Sequence, residues 1–319
     1  LCVIFSILLG GVKGGIERLS RVLMPALAVM LVALTLFVLT LDNAVLGIRY
    51  YLVPDFSRVD LSVINGALSQ AFFSLSLGMG ILITYGSYFS SDDNIPQSTR
   101  LVALADTSIA FFAGLLILPA IFAFDPNTNT DDLSTGSVGL IFSFLPQIFL
   151  SMQTAVGYVG ASVVAFIFFS LVFFAALTSL VSIIEIPISC WVDELKLSRK
   201  RAVILQASLL TLFTIPAVVS LGISDFFTNF TSYGGVTKSF FDLVSDVFYE
   251  TILPFVGFTV CIFCVYRWKV VGLSSELARG DSNYIGSRLE RYVNFSLASV
   301  IPFVLLLVFI SIISQIYLS

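Results

Sequence analysis

Seven apolar runs follow one another along this chain, each long enough to cross a bilayer as a helix. A helical span needs about 20 mostly apolar residues. Inside hydrocarbon every backbone N–H and C=O must be satisfied by the protein itself, which leaves helices and closed barrels as the only crossings. Barrel strands are alternating segments of about 10 residues, so runs this long and this uniform specify helices. The expected class is an all-α integral membrane protein. With 58% apolar and 11% charged residues, against about 25% charged in soluble domains, no soluble domain stands beside the spans.

The runs are 19–41, 65–89, 101–124, 155–192, 202–221, 241–266 and 292–318. Pro25 is expected to break the first near its start. Residues 42–62 and 222–238 read as loops. Residues 125–153 read as a long loop in which Pro146 divides LIFSFLPQIF into short helices. Of the 16 basic residues, 13 fall in the links 11–21, 91–100, 193–201 and 267–291, which alternate with the others. Lys and Arg accumulate on the cytoplasmic side. Loops 193–201 and 267–291 are therefore expected to be cytoplasmic and loop 125–153 outside, in the plasma (inner) membrane. The chain opens at Leu1, partway into an apolar run (LCVIFSILLG). It is expected to be a fragment, with one partial span before the seven.

Composition also excludes chemistry. There is no histidine, which removes Ser-His-Asp and Cys-His catalysis, His-ligated metals and His proton relays; an intramembrane enzyme is not expected. Cys261 and Cys264 have CxxC spacing inside an apolar run, without the second pair that a zinc site needs. They read as small core residues. No basic stripe points to nucleic acid.

The run NGALSQAFFSLSLGMGILITYGSY (65–88) is apolar enough to span, yet Ser74, Ser76, Gly78 and Gly80 interrupt it within seven residues. Glycine costs a helix interior about 1 kcal/mol against Ala, and serine offers the backbone competing bonds. The expectation is two half-helices joined by an extended stretch, Ser74 to Gly80. Freed backbone at membrane depth is tolerated only inside protein or along a wet cavity, and a glycine-interrupted span points to a binding site. The competing reading is a kinked packing helix with glycines for close contact.

Three groups carry chemistry. Asp106 sits about five residues into its run. An intramembrane carboxylate is costly and asks for a cation or a proton, unless it lies near enough to the interface to stay hydrated. In the 155–192 run, Thr178, Ser182 and Glu185 share a face at i, i+4, i+7. Its hydroxyls and carbonyls are hard ligands for an alkali cation, or else glue between helices. Glu185 is expected to hydrogen-bond the freed N–H groups of Ser74–Gly80. Asp246 and Asp193 lie at span ends, either solvated or as halves of gate ion pairs.

Four segments, QAFFSLSLGMGILITYGSY, GGIERLSRVLMPAL, FFAALTSLVSIIE and DELKLSRK, together resemble the neurotransmitter:sodium symporter family, bacterial branch, over nearly the whole chain and in order. The resemblance implies a leucine-transporter-type fold of two inverted five-span repeats. The chain would run as one transmembrane transporter domain, 1–319, from the end of span 4 through span 11. That is the second repeat plus flanking spans, with spans 1–3 absent and the broken helix at about 63–89 as span 6.

The resemblance also implies roles. Phe73, Ser74, Ser76, Met79, Ser179 and Ile183 would line an amino-acid site, with Phe73 as its outer lid. Ser74 and Asp106 would ligate a first sodium; the Ala175 carbonyl, Thr178 and Ser179 would ligate a second. Asp246 would pair with an arginine of span 1 as the outer gate, and Tyr88 and Asp193 would belong to the inner gate. The implied activity is sodium-coupled symport of a neutral apolar or aromatic amino acid by alternating access. Two Na+ ions would be co-transported and no organic cofactor is needed. A carboxylate at Asp106 would take the place of the chloride used by chloride-dependent relatives. The missing N-terminal spans would complete the sites, so this fragment alone is expected to be inactive. The alternative is a non-transporting membrane scaffold or sensor on the same fold.

Overall fold

The computed structural model describes residues 5, 8, 12–124, 126–127 and 137–318. The partial span at 1–10 (save Phe5 and Leu8) and the loop at 125–136 (save Pro126 and Asn127) lie outside the described residues. The chain forms α1 (Val12–Val38), α2 (Ala44–Leu52), α3 (Leu61–Ser74), α4 (Ile81–Gly86), α5 (Ile95–Phe124), α6 (Ser137–Asp193), α7 (Arg199–Val219) and α8 (Asp225–Thr228). The hairpin β1 (Thr231–Tyr233) and β2 (Val236–Lys238) follows, then α9 (Phe240–Leu277) and α10 (Arg288–Tyr317). Six helices among the described residues are long and apolar enough to cross a membrane. The run at 65–89 is not among them, because it divides into α3 and α4.

Several boundaries differ from expectation. α1 runs unbroken through Pro25, and α6 is helical through Pro146. Proline is tolerated in spanning helices where neighbouring groups satisfy the freed backbone. The bend in α6 falls instead at Gly157 (φ 74, ψ 166), a conformation essentially restricted to glycine. The loop at 42–62 contains α2 and a 3-10 turn, Phe56–Arg58. The loop at 222–238 contains α8 and the hairpin, whose register pairs Tyr233 with Val236. Gly234 and Gly235 (φ 57 and 69) supply the two positive-φ positions of a tight two-residue turn. The basic link at 267–291 begins as helix, since α9 runs to Leu277.

The chain divides into two compact units. One comprises residues 59–103 and 182–319, the other 2–58 and 104–181. The core of the second unit joins Leu34 and Val38 of α1, Leu116 and Ala120 of α5, and Ile148, Ala161 and Phe168 of α6. Gly47 of α2 lies against the Leu118–Pro119 backbone, where a Cβ would come within 2.4 Å of Pro119 Cα. In the first unit, Phe72 of α3, Cys261 of α9 and Leu305 of α10 form a buried cluster. Cys261 is thus a core residue as expected, whereas Cys190 is exposed.

Candidate functional site

The break in the second run, 65–89, is built from local backbone preference. The Asp60 carboxylate caps α3 by accepting from the Val63 N–H at 2.8 Å. At the other end the N–H groups of Ser76 and Leu77 turn back to the carbonyls of Phe73 and Phe72, and the helix ends. Ser76, Gly78 and Gly80 then take positive φ (54, 77 and 84). Glycine reaches that region at no steric cost; serine does not, and its presence there marks a strained, tertiary-held position. α4 restarts when the Thr84 N–H donates to Gly80 O at 2.9 Å. The stretch between the half-helices is Leu75 to Gly80, one residue shorter than the expected Ser74 to Gly80, and it is a run of turns rather than extended backbone.

What holds this stretch is one face of α9, and that face was not legible in the sequence. Tyr249, Leu253 and Gly257 succeed one another at one-turn intervals. The Phe73 ring stacks on Tyr249, with centroids 4.9 Å apart and planes 20° from parallel. Gly78 approaches the Leu253 carbonyl so closely that a Cβ would lie 2.5 Å from its oxygen. Gly257 leaves space for Phe72, whose ring would lie 2.8 Å from a Cβ there. Ser245–Thr251 within α9 is π-helical, a geometry that occurs mostly as short bulges at functional sites. α3, the break, α4, α9 and α10 also line an open apolar pocket of about 540 Å³, with Ala71, Phe72, Gly78, Gly257, Cys261 and Leu305 among its walls.

The expected site residues fall in both units. Phe73, Ser74, Ser76, Met79 and Ile183 belong to the first; Asp106, Ala175, Thr178 and Ser179 to the second. Ser76, Met79 and Phe73 are half-buried, while Ser74 ends α3 exposed. Ile183 is exposed on α6. In the second unit the structure brings three oxygens together. The Thr178 hydroxyl donates to Ala175 O at 2.8 Å and the Ser179 hydroxyl to the same carbonyl at 3.2 Å. Carbonyl and hydroxyl oxygens within one helical turn are the hard donor set an alkali cation takes. Asp106 is deeper in its helix than expected, because α5 starts at Ile95, and it is half-buried.

Glu185 departs from expectation. It is 1% exposed, but its partner is Arg199 at the start of α7, not the freed N–H groups of the broken stretch. Nη1 donates to Oε1 and Nη2 to Oε2, both at 2.9 Å. A guanidinium fork matches a carboxylate in this bidentate way, and the short link between α6 and α7 folds it back. α4 meets α6 nearby through a hydrogen bond between Tyr85 and Ser182. Tyr88 and Asp193 are exposed near the ends of α4 and α6.

Asp246 likewise has a partner within the chain. Its Oδ2 accepts from Tyr233 OH at 2.7 Å and Lys238 Nζ at 3.1 Å, both from the hairpin. Desolvation, then the Asp246 carboxylate, push the Tyr233 phenol above its ordinary pKa. Tyr233 also stacks on Tyr317 of α10 at 5.3 Å. A Lys eight residues before an Asp was the available signal for this pair.

The profile of the Sodium:neurotransmitter symporter family matches residues 1–318. The chain belongs to this family. An uncharacterised sodium-dependent transporter of Haemophilus influenzae is 31% identical over 96% of the chain, and the transporter YhdH of Bacillus subtilis is 30% identical over 95%. The chain spans 62% and 63% of the lengths of these two relatives. MhsT, solved in complex with L-phenylalanine, superposes with a TM-score of 0.82 at 36% identity, covering 97% of this chain and 65% of that one. The family and this neighbour are transporters, not enzymes. The fold is thus of the leucine-transporter type, and the chain is a multi-pass membrane protein of a sodium-dependent symporter family.

Proposed function

We propose that the protein carries out sodium-coupled symport of a neutral, apolar or aromatic amino acid across the plasma membrane by alternating access. The observation that carries this reading is the helix break at Leu75–Gly80 in a member of a sodium-dependent symporter family. Phe73, Ser74, Ser76 and Met79 around the break, with Ser179 and Ile183 of α6, are assigned to the substrate. The apolar character of Phe73, Met79 and Ile183 favours a large uncharged side chain, and methionine adapts its shape to the ligand. The L-phenylalanine bound to MhsT agrees with that preference.

Two sodium ions are assigned, one to Ser74 and Asp106, the other to the Ala175 carbonyl with Thr178 and Ser179. A zwitterionic substrate adds no net charge, so each cycle moves two charges inward. At about 2.3 kcal/mol per charge per 100 mV, that is about 4.6 kcal/mol, enough for roughly three decades of accumulation. The Asp106 carboxylate supplies a negative charge beside the first ion, and transport needs no chloride. Asp246, Tyr88 and Asp193 are assigned to the gates. Loops 193–201 and 267–291 are assigned to the cytoplasm on their share of the basic residues.

The test is amino-acid uptake into proteoliposomes, with sodium or potassium outside. It uses the chain as it stands and the chain fused to the part of the B. subtilis relative that it does not match. Sodium-dependent accumulation of one apolar amino acid by the fused form, unchanged when gluconate replaces chloride, and no accumulation by the chain as it stands, are the expected results. Uptake indifferent to the cation refutes the sodium assignments. No uptake of any amino acid by either form refutes transport and leaves a scaffold or sensor.

A further inference from the structure

The contact between Phe73 and Tyr249 has no assigned role. Tyr249 is 41% exposed, so it is not a core residue held for stability, yet its ring lies 4.9 Å from that of Phe73 and nearly parallel to it. Phe73 is the last residue but one of α3, next to the backbone that leaves the helix. Phe72 meets the ring edge-on, with centroids 5.6 Å apart, and Tyr249 covers its face. Tyr249 lies in the π-helical segment Ser245–Thr251, which shifts the register of α9 relative to a regular helix.

That segment is tied down from both ends. Asp246 is held to the hairpin by Lys238 and Tyr233, and the Thr251 hydroxyl donates to Asp246 O at 2.7 Å. One turn further along α9, the Leu253 carbonyl meets Gly78. The same face therefore sets the position of the lid ring and of the backbone it covers.

We propose that Tyr249 is a positioning and specificity-determining residue. Its ring holds Phe73 over the amino-acid site and sets the width of the apolar side chain admitted beneath. This rests on the transport reading above. The stack uses the ring face and not the hydroxyl, so Tyr249→Phe keeps it and Tyr249→Leu removes it.

In the form that transports, Tyr249→Leu raises KM for aromatic amino acids on the order of 2- to 10-fold, the scale of one aromatic pair. Vmax stays unchanged, and the ratio of aromatic to branched aliphatic uptake falls. Tyr249→Phe restores wild-type KM and selectivity. Equal losses in Tyr249→Phe and Tyr249→Leu, or an unchanged KM in Tyr249→Leu, overturn the proposal. A second measurement does not depend on transport. A cysteine is placed at Ser76, with the native cysteines replaced by alanine, and its labelling by a maleimide is timed. The rate rises several-fold with Tyr249→Leu and not with Tyr249→Phe; equal rates in all three overturn the positioning role even if no form transports. Thermal unfolding within a few degrees of wild type confirms that the variants are folded.

Discussion

The Glu185–Arg199 pair makes a directional prediction, because its two members are buried to very different extents. Glu185 is 1% exposed, and the Arg199 side chain 35%. Removing the cation strands a carboxylate away from water. Removing the anion leaves a guanidinium that still reaches water. Breaking a buried pair by deleting one partner costs about 3–5 kcal/mol when the survivor stays buried. Arg199→Met should therefore cost about that much, and Glu185→Gln about 1.5–3 kcal/mol, the scale of a charged hydrogen bond. At an unfolding entropy of about 2.1 cal/mol/K per residue, 1 kcal/mol corresponds to about 1.5 °C here. The expected falls in Tm are thus about 5–8 °C and about 2–5 °C. The double variant Glu185→Leu with Arg199→Met should recover most of the larger loss, since apolar replacement of a buried pair is often neutral. The assay is thermal unfolding of detergent-solubilised protein, with a double-mutant cycle on the pair. A loss for Glu185→Gln equal to or larger than that for Arg199→Met refutes the burial argument.

Four further outcomes are expected from the same unfolding assay. Gly78→Ala destabilises by more than about 1 kcal/mol, because its φ is +77 and a Cβ would sit 2.5 Å from Leu253 O; left-handed backbone alone costs an L residue about 1–2 kcal/mol. Gly66→Ala, in the interior of α3 with nothing within 4 Å of its Cβ, stabilises by up to about 1 kcal/mol, so the two variants move Tm in opposite directions. Tyr284 is 1% exposed and its hydroxyl has no hydrogen-bond partner among the described residues; Tyr284→Phe removes that unsatisfied group and raises stability by about 1 kcal/mol, and a fall in Tm contradicts this. The N–H and hydroxyl of Ser90 hold the Asp93 carboxyl below its ordinary pKa. That stabilisation is present above the unfolded value of about 3.9 and is lost as pH falls through the lower folded value. Ser90→Ala therefore flattens the acid limb of Tm against pH.

The parts legible in the sequence are those encoded in local backbone preference and hydropathy. Apolar run lengths located α1, α5, α7, α9 and α10. Four small residues located the break, since Ser76, Gly78 and Gly80 are the residues that take positive φ there. Proline was misread at Pro25 and Pro146, because its cost to a helix depends on what else satisfies the freed carbonyl. Gly157, passed over, carries the bend in α6. The partner of Glu185 was misassigned for a related reason. Glu185 was read as bonding the freed N–H groups of the break, but Arg199, from a link the charge pattern placed in solvent, folds back onto it, and Lys238 pairs with Asp246 in the same way.

The seat of the break is the hardest part to read, and the reason is geometric. The run 241–266 has the same hydropathy whether its first turns are α- or π-helical. Yet one extra residue in a turn rotates everything beyond it by about 100°, given 3.6 residues per turn. Tyr249 faces Phe73, and Leu253 faces Gly78, only in the register that the π segment Ser245–Thr251 sets. That register is in turn held by contacts of Asp246 and Thr251 with groups from the hairpin and α10. The break is written into its own six residues. Its alignment is written into a helix far along the chain, where no local pattern distinguishes the residues that face it from those that face lipid.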